Sequence, residues 1–140
     1  MSKQFTLGKN ERLKSRKLIE QLFKSGISFN AFPYRVFYVI NNSSAAAQPA
    51  PFNVQFGTGA STKNFKKAVD RNRIKRVTRE AWRLQKKELE QKLKERNSNL
   101  NVFFIYTSKE LPEYKLVYEK VTVILSKLMK VIDENSTSNS

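Results

Sequence analysis

Apolar positions recur along the chain with two different periods, and the changes of period divide it into elements. Leu18, Ile19, Leu22 and Phe23 stand three and four apart in SRKLIEQLFKSG, the spacing that lines up one apolar stripe on a short helix. Ser15 is placed to cap its start and Gly26 to end it. From Tyr34 to about Ile40 the residues are mostly aromatic or β-branched, with Pro33 at the entrance, so the segment predicts a strand. NNSSAAAQPAP is small and polar, carries Pro49 and Pro51, and reads as a loop. Phe52, Val54 and Phe56 then alternate with polar residues as a strand does, and Gly57 and Gly59 are expected to weaken or bulge it. A long helical pattern runs from about Phe65 to Arg96, and NVFFIYT, 101–107, predicts another strand. Pro112 marks where a last helix begins, and Val117, Val121, Ile124, Leu128 and Val131 share one of its faces as far as about Asp133. The tail 134–140, ENSTSNS, has nothing apolar to bury and is expected to be disordered.

Taken in order, with no internal repeat, these elements predict an α+β fold. A small sheet packed with helices in a two-layer sandwich, α-β-β-(β)-α-β-α, would bury the apolar faces. A chain of 140 residues that is 39% hydrophobic fills one core, so residues 1–133 are expected to form a single domain.

Charge narrows the function. Lys and Arg number 27 against 12 acids, a formal +15 with a pI near 10.2, and a compact chain so charged repels itself unless a polyanion is its partner. Nucleic acid is the first candidate. A membrane is the second, but no segment approaches ~20 consecutive apolar residues and the N-terminal MSKQFTLGKNERLKSRK lacks an apolar signal core, so a cytoplasmic protein with no membrane partner is expected. The chain has no cysteine and no histidine, which excludes disulfides, thiol chemistry, zinc knuckles and every mechanism built on an imidazole base. Its carboxylates are two aspartates, Asp70 and Asp133, and glutamates interspersed with Lys and Arg, not the converging cluster that a two-metal nuclease needs. No catalytic residue and no metal ligand is expected on this chain.

The long helix is the chemical centre of the sequence. At about 100° per residue from Asn72, the side chains of Lys75, Arg76, Arg79, Arg83 and Lys86 fall within about 60° of it. Ile74, Val77, Ala81 and Leu84 fall opposite, between about 120° and 200°, where they can face a sheet. Between Lys63 and Lys87 the chain carries eleven of its 27 cations, at 63, 66, 67, 71, 73, 75, 76, 79, 83, 86 and 87, against Asp70 and Glu80 alone. Phosphate neutralisation uses such density: Arg forks grip phosphate oxygens, and Asn72 can donate to and accept from a base or a 2′-OH. Trp82, at about 280°, borders the stripe and either stacks on a base or packs against its own protein.

The run KKAVDRNRIKRVTRE resembles the signature of the bacterial ribonuclease P protein component, an Arg-Asn-Arg core followed by Lys-Arg and Arg-Glu. Arg71, Asn72, Arg73, Lys75, Arg76, Arg79 and Glu80 match it. The L-x-x-x-x-x-I-x-x-L-F-x-x-G pattern from Leu13 to Gly26 and the VFFIY strand before a final helix agree along roughly residues 9 to 130. The resemblance implies a ribosomal protein S5 domain 2-like fold with a left-handed βαβ crossover, against the usual hand. It implies an accessory subunit of an RNA-based enzyme, in which a large catalytic RNA with Mg²⁺ removes the 5′ leader of precursor tRNA. Carried over by position, Arg71, Asn72, Arg73, Lys75, Arg76 and Arg79 would bind RNA, and the charge density of the segment adds Lys63, Lys66, Lys67 and Arg83 to the expected set. The leader would lie in a cleft between the first helix and the sheet, with Ile19, Phe23 and either Phe37 or Tyr38 as candidates. Phe23 is equally at home as a core residue. The partners implied are the catalytic ribonuclease P RNA and precursor tRNA, with no DNA and with the Mg²⁺ held by the RNA.

Three positions depart from the pattern. Ile19 stands where the family often has an aromatic, Thr62-Lys63 where a Lys-Lys pair is common, and the 41–52 loop is longer than usual. A structural or ribosomal-type RNA-binding protein with no part in cleavage would explain the charge as well, but not the motif. A DNA reader would concentrate its base contacts near one helix end, whereas these cations extend over at least four turns.

Overall fold

The computed structural model describes residues 13, 16–42, 54–96 and 98–138. The cap expected at Ser15 and most of the 41–52 loop lie outside them. The elements are α1 (Arg16–Ser25), β1 (Ile27–Ala31), β2 (Tyr34–Asn42), β3 (Val54–Ala60), α2 (Ala68–Gln85), α3 (Lys87–Glu95), β4 (Ser98–Tyr106) and α4 (Tyr114–Ser138). The four strands form one mixed sheet in the order β1-β2-β4-β3. β2 pairs antiparallel with β1 and β4, while β3 runs parallel to β4, so α2 and α3 form the crossover of a βαβ unit. The fold is the α+β sandwich the periodicities predict.

Burial alternates along the central strand β4, with Leu100, Val102, Phe104 and Tyr106 buried and the residues between them partly exposed. The buried set, with Tyr34, Val36, Val54 and Phe56 of its neighbours, meets Ile74, Trp82, Val117, Val121, Ile124 and Leu128 from α2 and α4 in one core. The helical face predicted for α4 is buried from Val117 to Leu128, beyond which Ile132 is buried and Val131 only partly so. α1 lies on the other side of the sheet, its Phe23 ring against Phe37 and Phe103.

Four boundaries differ from the sequence reading, each for a physical reason. β1 has no separate place in the apolar pattern, because ISFNA is short and follows directly on Gly26. It forms by pairing residue for residue with β2, from Ile27↔Tyr38 to Ala31↔Tyr34. β3 runs without a bulge through both of its glycines, in register from Val54↔Leu100 to Ala60↔Tyr106. The glycines make room: a Cβ on Gly57 would stand 2.7 Å from the Phe103 ring and 3.0 Å from the Leu13 carbonyl oxygen.

The long helix breaks at Lys86, which is only 2% exposed, its Nζ 3.6 Å from Glu90. The break lets α3 bury Leu89 and Leu93 in the core. It also removes Lys86 from the cationic stripe. α4 continues to Ser138, past the expected end at Asp133, since no glycine or proline follows to stop its backbone ladder. Residues 134–138, expected to be disordered, thus carry on the helix.

Asp133 joins α4 to α3. Its Oδ1 accepts from Lys92 Nζ at 2.8 Å and Arg96 Nη2 at 2.5 Å, and these bonds, Lys92 first, hold the carboxyl below its ordinary value of 3.8. A carboxylate lowered in the folded state adds stability above its ordinary value and loses it as pH falls through the folded one. Asp133→Asn is therefore expected to be less stable than the parent in urea melts near pH 6, with the gap closing as pH falls below about 3.8. Because the pair is half-exposed, added salt should also narrow the gap. A gap that stays constant from pH 6 to pH 3 would contradict this assignment.

Candidate nucleic-acid interface

The sheet fixes the rotation of α2. Trp82 is fully buried and lies flat on Phe56 of β3, with ring centroids 4.4 Å apart at 10°, and meets Phe104 edge-on at 5.7 Å. One turn earlier, Thr78 Oγ1 donates to the Ile74 carbonyl at 2.8 Å. Its single proton being used, it accepts from the Tyr34 hydroxyl at 2.7 Å, and burial pushes that phenol far above its ordinary value. The buried stripe is thus Ile74, Thr78, Ala81 and Trp82. Leu84, expected in it, is 38% exposed, and Val77 is only partly buried. Apolar spacing alone points the wheel toward Val77 and Leu84, because a threonine does not count as apolar and a tryptophan at the flank admits two roles. The structure gives Trp82 to the core, so it offers no face to a base.

Turning α2 this way decides which cations meet solvent. Asn72, Arg73 and Arg76 are exposed, while Lys75 and Arg79 are half-buried at the flank. Arg83 is drawn back by Glu80, with its Nε 3.2 Å from Oε2 and a second contact from Nη2 to Oε1. Ahead of the helix, Lys63, Lys66 and Lys67 are all exposed. Arg71 is half-buried, and its Nη1 donates to the carbonyls of Phe65 and Lys66. The predicted set therefore falls into an exposed group, Lys63, Lys66, Lys67, Asn72, Arg73 and Arg76, and residues engaged by their own protein, Arg71 near the start of α2 and Arg83 toward its end.

A second surface lies on the far side of the sheet. Phe23 of α1 is 41% exposed yet touches Phe37 at 4.9 Å and Phe103 at 5.5 Å. The Arg35 guanidinium stands 5.1 Å from the centre of the Phe37 ring, within cation–π range, and Ile19 is half-buried one turn before Phe23 on α1. Tyr38 does not join this group. One residue along the strand from Phe37, it faces the helices, 6% exposed, with its ring 5.9 Å from Phe29. Between the two strand aromatics, the pleat selects Phe37. Phe103 is the member the sequence reading did not single out; its signal was its alternation with buried Val102 and Phe104.

Among the described residues no three His, Cys, Asp or Glu side chains come together to hold a metal, and no described helix is long and apolar enough to cross a membrane. What the geometry offers is a cationic helix face on one side of a small sheet and a partly exposed aromatic surface on the other, the makings of an α+β protein that binds nucleic acid.

Comparison with known proteins specifies the class. The model of the Ribonuclease P family matches residues 7–129. The ribonuclease P protein component of Porphyromonas gingivalis is 33% identical over 135 residues, 96% of this chain and 95% of that one. That of Chlorobium phaeobacteroides is 30% identical over 127 residues, 86% of each. Among solved structures, the RNase P protein of Thermotoga maritima superposes with a TM-score of 0.63 at 24% identity, covering 84% of this chain and 96% of that one. The RNase P protein of Staphylococcus aureus gives 0.61 at 20%, covering 84% and 94%. The chain belongs to the ribonuclease P protein family.

The two aromatic sites differ in what they support. Trp82→Ala is expected to cost about 3–5 kcal/mol in chemical denaturation, as a buried tryptophan does. Phe23→Ala, losing two ring contacts at a half-open site, should cost about 1–2 kcal/mol. Equal losses would make Phe23 a core residue and remove it from the cleft surface.

Proposed function

We propose that this chain, the protein subunit of ribonuclease P, binds the catalytic RNA with Asn72, Arg73 and Arg76 on the open face of α2 and with Lys63, Lys66 and Lys67 ahead of it. Lys75, Arg79 and Arg83 flank that face. The 5′ leader of precursor tRNA lies across Phe23, Phe37 and Phe103, with Ile19 at the edge of the cleft and Arg35 beside it. The chemistry is endonucleolytic removal of the leader by the RNA with its own Mg²⁺. The protein's part is electrostatic and steric: its cations neutralise crowded phosphates, which lowers the Mg²⁺ needed to fold and load the RNA, and the cleft favours precursor over mature tRNA.

The observation that carries this reading is the division of α2. Its core-facing side is complete with Ile74, Thr78, Ala81 and Trp82, so Arg73 and Arg76 have no packing task and, among the described residues, no acidic partner. Single-stranded RNA stacks on aromatic faces beside cations, which suits the three rings and Arg35. Family membership favours this reading over a ribosomal-type protein without a part in cleavage.

Reconstitution tests it. Purified protein is added to a bacterial ribonuclease P RNA at Mg²⁺ too low for the RNA alone, with a leader-bearing precursor tRNA as substrate. Leader release is expected only with both components. Arg73→Ala with Arg76→Ala should weaken RNA binding and reduce the slope of log affinity against log salt by about 1.4–1.8, two phosphate contacts. Phe23→Ala should lower the preference for precursor over mature tRNA while leaving RNA affinity near the parent's. Salt-sensitive binding with no rescue of cleavage would overturn the assignment.

A further inference from the structure

We infer that Arg71 is a positioning residue: its guanidinium braces the segment that enters α2, and it serves RNA binding through Lys66, Lys67 and Lys63 rather than as a phosphate ligand itself. This rests on the RNA-binding reading of that face.

The chain reaches α2 by a route with little local support. Lys67, the residue before the helix, is extended at φ −82° and ψ 128° and makes no side-chain cap, so the first turn lacks the usual Ser, Thr, Asp or Asn tie. The Lys67 carbonyl takes the amides of Asp70 at 3.2 Å and Arg71 at 3.3 Å. The carbonyls of Phe65 and Lys66 precede the helix and have no place in its ladder. Arg71 reaches back to both, with Nη1 2.7 Å from Phe65 O and 3.0 Å from Lys66 O. One guanidinium nitrogen thereby fixes two consecutive peptide planes, the pair that sets the direction of the Lys66 and Lys67 side chains.

The other end of the segment is anchored independently. The Phe65 ring is buried, 6.0 Å from Tyr106. The Phe65 amide donates to Ser61 O at 3.0 Å, and the Lys63 amide to Ser61 Oγ at 3.1 Å. Asn64 Nδ2 donates to Thr107 O at 3.3 Å. Between these anchors Lys63, Lys66 and Lys67 stand exposed and repel one another and Arg73. Without the brace, the cheapest response is for the Lys66–Lys67 backbone to swing outward. A guanidinium already engaged by two carbonyls and half-buried is poorly placed to fork onto a phosphate, whereas the lysines it orients are open to one.

Arg71→Lys separates the roles, because it keeps the charge but shortens the side chain by one atom, out of reach of both carbonyls. In the free protein, amide exchange at Phe65 and at position 71 is expected to quicken by about tenfold or more, as both charged hydrogen bonds are lost, with exchange in β4 unchanged. With ribonuclease P RNA as the probe, the charge-conserving variant should bind about tenfold more weakly. Its salt slope should fall by about 0.7–0.9 or more, as if a phosphate contact had been lost. Lys66→Ala with Lys67→Ala, combined with Arg71→Lys, should cost little beyond the lysine pair alone, since both act through the same contacts.

Parental affinity and slope in Arg71→Lys would overturn the brace, as would losses that add fully in the combined variant. So would a variant that fails to fold, which would assign Arg71 to the core and not to the lysines. Arg73→Ala with Arg76→Ala keeps the two readings apart. If that pair leaves RNA binding intact, the interface itself is misplaced; if it weakens binding while Arg71→Lys does not, only the brace falls.

Discussion

The cationic face of this protein depends on the contact of Trp82 with Phe56. A helix with cations around much of its circumference has no unique orientation on electrostatic grounds, and its apolar residues, spread over Ile74, Val77, Ala81 and Leu84, define only a broad face. A flat, fully buried indole on a phenylalanine ring, closed at its edge by Phe104, admits one orientation. Burying so large a pair outweighs an indole N–H that has no hydrogen-bond partner among the described residues. Thr78 and Tyr34 then lock the neighbouring turn. Once these are seated, Arg73 and Arg76 face water, and Leu84 is partly exposed.

The sheet works on both faces. Toward α2, α3 and α4 it offers a continuous apolar surface, and toward α1 an aromatic one that is not fully covered. Tight packing and openness coexist there because β3 contributes glycine at the positions next to Phe103. The ring settles over Gly57 and Gly59, and Phe23 and Phe37 gather around it. Residues adjacent in sequence therefore have opposite fates: Phe37 and Phe103 lie on the partly open aromatic face, while Tyr38 and Phe104 lie in the core. The period of two in a strand produces this separation without any further device.

Few acids are available to offset the charge, and most of those with assigned contacts sit away from the exposed cations. Asp133 holds Lys92 and Arg96, Glu90 meets Lys86, and Glu80 holds Arg83. All are at the C-terminal part of α2, in α3 or at the end of α4. Among the described residues, the N-terminal half of α2 and the lysines before it have Asp70 alone against Lys63, Lys66, Lys67, Arg71, Arg73, Lys75 and Arg76. The C-terminal end of the crossover is ionically tied, and the end proposed to meet RNA carries an excess of cations. Such a division tolerates self-repulsion in the free protein and relieves it on binding.

The sequence by itself determined the class of fold, the helical face that α4 buries, the excess of positive charge on the crossover helix, and the motif that marks the family. These follow from periodicity and composition, which are local and survive any arrangement of the elements. It did not determine β1, whose five residues become a strand only through pairing with β2, nor the break at Lys86, which exists because α3 turns to bury Leu89 and Leu93. Nor did it choose between Phe37 and Tyr38, or tell that Trp82 belonged to the core and that Arg71 would be occupied by two carbonyls. Those outcomes depend on partners far away in the chain, on which face of a strand meets a helix and how far that helix is turned. Only the packed structure sets those quantities, because only there do distant side chains compete for the same space.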